Sequence, residues 1–259
     1  MPIRVGSNPI LKMYVGPNIQ PWSPANLTNV LYWWYTGAGI SASSNEVQSW
    51  TDQISGRVLS KLAGTGMTYD PIDSQFNNLA SVYQDGTMAT VSNNTLSDIG
   101  GSDVFTQIWI GKPEVIGSAT YSFWGGETST GLAASEVAPY ISSPDSADVP
   151  GTYRFGYDGS GRLNTTAVTN DGSLAYHIVA VDTPNGTITQ YWNSTTANTV
   201  SSLSFSSADR IPFRWEIGGY DNSSGSKFKG YIFESIVMTA LPTAQELSDL
   251  DAYVTGRYS

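Results

Sequence analysis

A chain of 259 residues, 40% hydrophobic and 12% aromatic, carries enough apolar material for one large sandwich or two small domains. Its net charge of −10, from 22 acids against 12 bases without a Lys/Arg cluster, argues against nucleic-acid binding. The absence of cysteine excludes disulfides, thiol nucleophiles and thiolate metal sites.

Only 13% of the residues are charged, about half the usual share, so solubility rests on Ser, Thr, Asn and Gly. Such surfaces suit extracellular, viral or adhesive β-proteins, and zero cysteine favours a microbial or viral source. Met1-Pro2-Ile3-Arg4-Val5-Gly6 leads straight into strand-like sequence, without a basic-then-apolar leader. No apolar run of 18 residues is present to span a membrane as a helix. Export by a signal peptide is therefore not expected. Assembly into a particle in a host cytoplasm, followed by release, fits instead.

The chain opens on an imperfect repeat. Val5-Gly6-Ser7-Asn8-Pro9-Ile10 is echoed by Val15-Gly16-Pro17-Asn18-Ile19, each half a short strand ending in turn chemistry. Residues 1–24 are expected to form a β-hairpin arm, too small for a core of its own. Val5, Ile10, Tyr14, Val15 and Ile19 are its candidate anchoring residues; the plainer alternative is a hairpin that pads a sheet edge. Gln20-Pro21-Trp22-Ser23-Pro24 reads as a stiff connector.

Residues 25–259 are expected to form one β-domain. Strand candidates follow at Leu31–Tyr35, Ser81–Tyr83, Thr87–Val91, Phe105–Gly111, Tyr121–Trp124, Thr152–Tyr157 and Ala167–Thr169. Tyr176–Val181, Thr187–Trp192, Phe213–Ile217 and Lys229–Met238 complete the set. Pro184-Asn185-Gly186 supplies the positive φ angles that a tight turn between Tyr176 and Trp192 requires. One helix is expected, opened by a capping box of Thr243 and Glu246. Leu247, Leu250, Tyr253 and Val254 form its apolar stripe, and Thr255-Gly256 its end.

These elements resemble, in order, the concanavalin A-like, laminin-G-like jelly rolls. The features that carry the resemblance are an early Trp50-Thr51-Asp52-Gln53-Ile54-Ser55-Gly56 turn and the strand Phe105–Ile110. The hairpin His177–Asn193, the start Ile217-Gly218-Gly219-Tyr220, and Phe228–Glu234 leading into the helix complete them. The resemblance spans residues 30–258 and implies an all-β, two-sheet antiparallel jelly-roll sandwich with one C-terminal helix. The opening repeat is similar to the starts of some tailed-phage virion proteins. The family binds sugars, hydrolyses glucans or decorates particles, so the fold alone does not choose.

The residues narrow the choice. Glucanases of this fold share a Glu-x-Asp-x-x-Glu strand, and glycoside hydrolysis needs two carboxylates about 5–9 Å apart. Phe233-Glu234-Ser235-Ile236-Val237-Met238 has one acid, expected to cap or pair within its strand, and nothing places Glu216 beside it. Asp70, Asp73, Glu127 and Glu136 fall in turn-like contexts. His177, the only histidine, starts a strand without a Gly-x-Ser-x-Gly elbow, and is expected to be a satisfied sheet residue. No metal-ligand spacing occurs, and the loops Asp158–Gly161 and Asp221–Ser226 supply one carboxylate each where tight calcium loops supply several. No catalytic residue, metal or cofactor is expected. Six Asn-x-Ser/Thr sequons, at Asn26, Asn93, Asn164, Asn185, Asn193 and Asn222, carry little weight in so Asn- and Thr-rich a chain.

Sugar recognition pairs aromatic faces with amides or carboxylates. Tyr220, Asp221 and Asn222 are the cleanest candidates, and Trp124, before Gly125-Gly126-Glu127, is the next; packing or subunit contact is the competing use. Trp33, Trp34, Trp50, Trp109 and Trp215 belong to the core. The leading expectation is a non-enzymatic surface protein of a tailed-phage virion, a capsid decoration or tail appendage. Its partners would be other virion proteins and copies of itself, plausibly as a trimer. A carbohydrate-binding adhesin or module for host glycans is the alternative, and a glycoside hydrolase the remote one.

Overall fold

The structure, a computed structural model, describes residues 22–93, 103–114, 122–124, 126–127, 140–142, 152–156, 168–169, 172–202, 214–219 and 228–258. The strands before the midpoint are β1 (Val30–Tyr35), β2 (Ile40–Ser43), β3 (Glu46–Thr51), β4 (Val58–Lys61), β5 (Thr68–Asp73), β6 (Leu79–Asp85), β7 (Val91–Asn93) and β8 (Val104–Pro113). Next come β9 (Ser122–Trp124), β10 (Gly126–Glu127), β11 (Tyr140–Ser142), β12 (Thr152–Gly156) and β13 (Val168–Thr169). The chain closes with β14 (Ala175–Asp182), β15 (Thr187–Trp192), β16 (Asn198–Val200), β17 (Arg214–Ile217), β18 (Lys229–Met238) and helix α1 (Ala244–Tyr258).

The fold is all-β, with antiparallel strand pairing and one C-terminal helix. β6, β18, β8, β14, β15 and β16 lie side by side, with β1 also on β18, as one layer. β10, β17, β7, β4 and β3 form the other, and β5 carries the hydrogen-bonded path between them. A separate sheet, β13-β12-β11-β9, joins at β9, which touches β17.

Alternation along the central strands builds two cores. On β8, Phe105 and Trp109 face the opposite layer, while Ile108 and Ile110 face the helix. The inter-sheet core also takes Tyr32 and Trp34 from β1, Val47 and Trp50 from β3, Leu59 from β4, and Trp215 and Ile217 from β17. Tyr176, Ile178, Phe233, Ile236 and Met238 pack on the other side against Leu247, Leu250, Val254 and Tyr258. Because β14 is sandwiched between both cores, it is buried along its whole length and its sequence is apolar almost throughout.

Asp52 organises the turn after β3. It is 2% exposed, and its carboxylate accepts hydrogen bonds from the backbone N–H of Ile54, Ser55 and Arg57 and from the Ser55 hydroxyl. Gly56 completes the turn with φ of 76°, a left-handed conformation that favours glycine. The Trp-x-Asp-x-x-x-Gly spacing is thus the signature of a self-capped turn.

Several elements differ from expectation. Residues 40–73 hold β2, β3, β4 and β5, which their mixed Ser, Gln and Asp composition concealed. Asp70 and Asp73 therefore lie on a strand, with Asp73 buried against the Ser81 hydroxyl at 2.7 Å, and Glu127 lies on β10. The expected strand Thr87–Val91 begins only at Val91. Asp85 Oδ1 accepts from the N–H of Thr87 and Met88 and holds that stretch as a turn.

The helix does begin at the Thr243/Glu246 box. Glu246 N–H donates to Thr243 Oγ1 at 3.2 Å, and Thr243 N–H donates to Glu246 Oε2 at 2.8 Å. It does not stop at Thr255-Gly256 but continues to Tyr258, because the last turn is pinned by its own side chains. The Tyr258 ring stacks on Phe233 at 4.7 Å, and the Arg257 guanidinium donates to the Tyr35 hydroxyl. Residues 1–21 of the expected hairpin arm, with Val5, Ile10, Tyr14, Val15 and Ile19, lie outside the described residues.

Candidate functional site

A bulge in β18 creates the most unusual site of the described residues. Ile232 pairs with Gly111 and Glu234 with Ile110, which leaves Phe233 as an extra residue on the bulged strand. Regular alternation would send Glu234 to the inter-sheet side with Ile232. Instead Phe233 and Glu234 both face the helix, and alternation resumes with Ile236 on that face and Val237 on the other.

Glu234 is 0% exposed, and three donors converge on it. Trp33 Nε1 donates to Oε2 at 2.6 Å, while the hydroxyls of Tyr253 and Tyr258 donate to Oε1 at 2.7 and 2.5 Å. The Arg257 guanidinium lies over the rings of Tyr35, Tyr253 and Tyr258 at 4.7, 5.7 and 5.6 Å. Trp22 packs edge-on against Tyr253 at 5.5 Å. Sequence reasoning expected Glu234 to cap or pair within its own strand. It is bonded instead to β1 and to the helix, and a bulge has no signature in a single sequence.

Burial pushes the Glu234 carboxyl up to about 7, against the opposing pull of its three donors. The same carboxylate and burial push Tyr253 and Tyr258 above the ordinary phenol value. A carboxyl poised near neutrality has the protonation a general acid needs. Access and a partner are missing, since no second carboxylate enters the cluster's hydrogen bonds among the described residues. Glu216 alternates with Trp215 and Ile217, so it points to the outer side of the other layer, where Thr90 Oγ1 donates to it at 3.2 Å. Two sheets packed roughly 10 Å apart separate the two acids. They cannot act on one glycosidic bond.

The inter-sheet face of β14 and β15 holds a second anomaly. His177 and Gln190 are 0% and 2% exposed, and neither ring nitrogen and neither amide atom has a hydrogen-bond partner. His177 is on a strand as expected, but it is not satisfied. Its ring lies 5.3 Å from that of Trp192, and burial lowers its pKa to about 3, so it stays neutral. The indole N–H groups of Trp34 and Trp215, on the same core, also lack partners. Among the described residues, no group of three or more His, Asp or Glu side chains is placed to hold a metal.

Tyr220, Asp221 and Asn222 lie outside the described residues, as does the side chain of Trp124 on β9. β9 touches β17, the strand that leads toward Tyr220, and Gly126 pairs with Trp215. Phe228 N–H and Gln84 Nε2 both donate to the Gly218 carbonyl, each at 3.0 Å.

No family model and no curated protein matches the chain. Solved structures do resemble it. A GH54 α-L-arabinofuranosidase soaked with a cyclic sulfate inhibitor aligns over 83% of this chain and 52% of its own, with TM-score 0.59 and 14% identity. The Trypanosoma rangeli sialidase bound to sialic acid aligns over 86% of this chain and 32% of its own, with TM-score 0.57 and 11% identity. Botulinum neurotoxin type C, whose cell entry depends on interaction with two ganglioside molecules, aligns over 90% and 53%, with TM-score 0.58 and 11% identity. The chain thus spans between about a third and about half of these proteins, and at such identities the likeness is one of fold.

Proposed function

We propose that the chain is a non-enzymatic glycan-binding β-sandwich. The observation that carries the reading is the sealing of Glu234. Glu234, the strand acid whose carboxyl is raised toward neutrality, has no exposed surface and no acid partner among the described residues, so the helix-side site holds the fold together. The fold neighbours are proteins that act on or bind sugars, from an arabinofuranosidase and a sialidase to a ganglioside-dependent toxin. A glycan array probed with the intact chain tests the reading. Retention of at least one saccharide family supports it, and a blank array contradicts it.

The finer reading is display on a tailed-phage particle, with residues 1–24 as the attachment arm and other virion proteins as partners. The repeat in that arm and the cysteine-free, Ser/Thr/Asn-rich composition support it. Deleting residues 1–24 is expected to leave a folded domain that no longer joins particles. Retained assembly would contradict the anchoring role.

A further inference from the structure

The helix-side face of β6, β18 and β8 carries a second aromatic group at the end away from Glu234. Tyr83 and Tyr231 are register partners, both half-buried, with ring centroids 5.0 Å apart. Phe76 supports Tyr231 edge-on at 4.7 Å, so the ring is held in place from beneath. Polar groups already grip both phenols. The Tyr83 hydroxyl donates to Glu114 Oε1 at 2.7 Å, and Gln75 Nε2 donates to the Tyr231 hydroxyl at 3.2 Å. Lys229 holds Glu114 Oε2 at 3.0 Å, with 30% and 36% of these two side chains exposed.

Lys112 stands directly across from Tyr231 on β8, and its ammonium lies 5.7 Å from the Phe76 centroid. It pairs with no carboxylate among the described residues, in a chain where 22 acids face 12 bases. Two pre-positioned phenol rings, an exposed amide with its carbonyl free, and an ammonium without an anion are the groups that recognise a sugar ring bearing a carboxylate. Rings fixed by Phe76, Glu114 and Gln75 lose little freedom on binding.

We infer that this face, bounded by Tyr83, Tyr231 and Lys112, binds an acidic saccharide, an inference that rests on the glycan-binding reading above. The tyrosine rings stack on the sugar, Lys112 takes its carboxylate, and Gln75 Oε1 accepts from a hydroxyl. The site uses none of Tyr220, Asp221 and Asn222.

Calorimetric titration of the intact chain with 3′-sialyllactose and with lactose tests it. The acidic trisaccharide is expected to bind at least about tenfold more tightly than lactose. Lys112→Glu, a change at a half-buried position that leaves both rings in place, is expected to abolish that difference. Tyr83→Ala is expected to weaken 3′-sialyllactose by at least about tenfold, with the fold checked by circular dichroism. Unchanged 3′-sialyllactose affinity in both variants, or equal binding of both sugars by the wild type, overturns this site and leaves glycan binding elsewhere on the chain standing. An array blank to every saccharide overturns both readings.

Discussion

Glu234→Gln is expected to change the pH dependence of stability by about 3 kcal/mol between pH 4.5 and 7, relative to the wild type. The carboxyl titrates near 4.5 when unfolded and near 7 when buried, and each pH unit of that interval is worth about 1.36 kcal/mol. The sign follows from the direction. Below pH 4.5 both states carry the proton, and the contribution is fully present. Between 4.5 and 7 only the folded state keeps it, so wild-type stability falls as pH rises and then levels off. Gln cannot titrate. Its amide can still accept from Tyr253 and Tyr258, but the –NH2 then opposes the Trp33 N–H, a mismatch that costs about 1–3 kcal/mol at every pH.

His177 acts in the opposite sense over much of the same range. Its pKa falls from 6.5 to about 3, so the unfolded state takes up a proton that the folded state refuses. Stability is therefore lost as pH drops below 6.5. In the wild type the two slopes offset each other between about 4.5 and 6.5. The Glu234→Gln variant should reveal the histidine slope, and His177→Phe the glutamate slope. Urea titrations at four pH values, read as differences from wild type, remove the shared contribution of the other acids. A Glu234→Gln difference that stays constant within about 1 kcal/mol across this range would contradict the buried-carboxyl description.

Trp215→Ala is expected to destabilise the chain by about 3–5 kcal/mol, the range for truncating a buried large aromatic. Trp215 is 0% exposed and belongs to the inter-sheet core. It stacks on Trp34 at 6.0 Å with 13° between the planes, and meets Phe105 edge-on at 5.9 Å. Because the Trp215 N–H has no partner, Trp215→Phe should cost markedly less than alanine. Trp50 provides the contrast, since its Nε1 donates to the Tyr35 carbonyl at 3.2 Å and Trp50→Phe loses that bond as well as volume. Urea midpoints of the three variants check the order. A Phe variant at position 215 as unstable as the Ala variant would contradict it.

The parts of the fold legible in the sequence are those written in local chemistry. The Asn185-Gly186 turn, the Thr243/Glu246 box and the Trp50–Gly56 turn each satisfy their backbone groups within a few residues. β18 was legible to its ends because ten successive residues were compatible with a buried strand. What stayed hidden depends on partners far along the chain. β4, with burial alternating through Val58–Lys61, has only Leu59 fully buried, too little pattern to announce a strand.

The Glu234 cluster was hidden for the same reason. Its donors come from positions 33, 253 and 258, and the bulge that turns the carboxyl toward them is set by pairing with β8. The unpartnered His177 was equally out of reach, because satisfaction is a property of neighbours. The Tyr83–Tyr231 face required the register of β6 against β18 before the two residues became adjacent.

The chain is proposed to bind a saccharide without cleaving it. The most direct measurement is to incubate the intact chain with an array-positive glycan and analyse the recovered sugar by mass spectrometry. Saturable binding with the glycan recovered whole is the expected result. Release of a new reducing end, lost on Glu234→Gln in a variant that still folds, would contradict it.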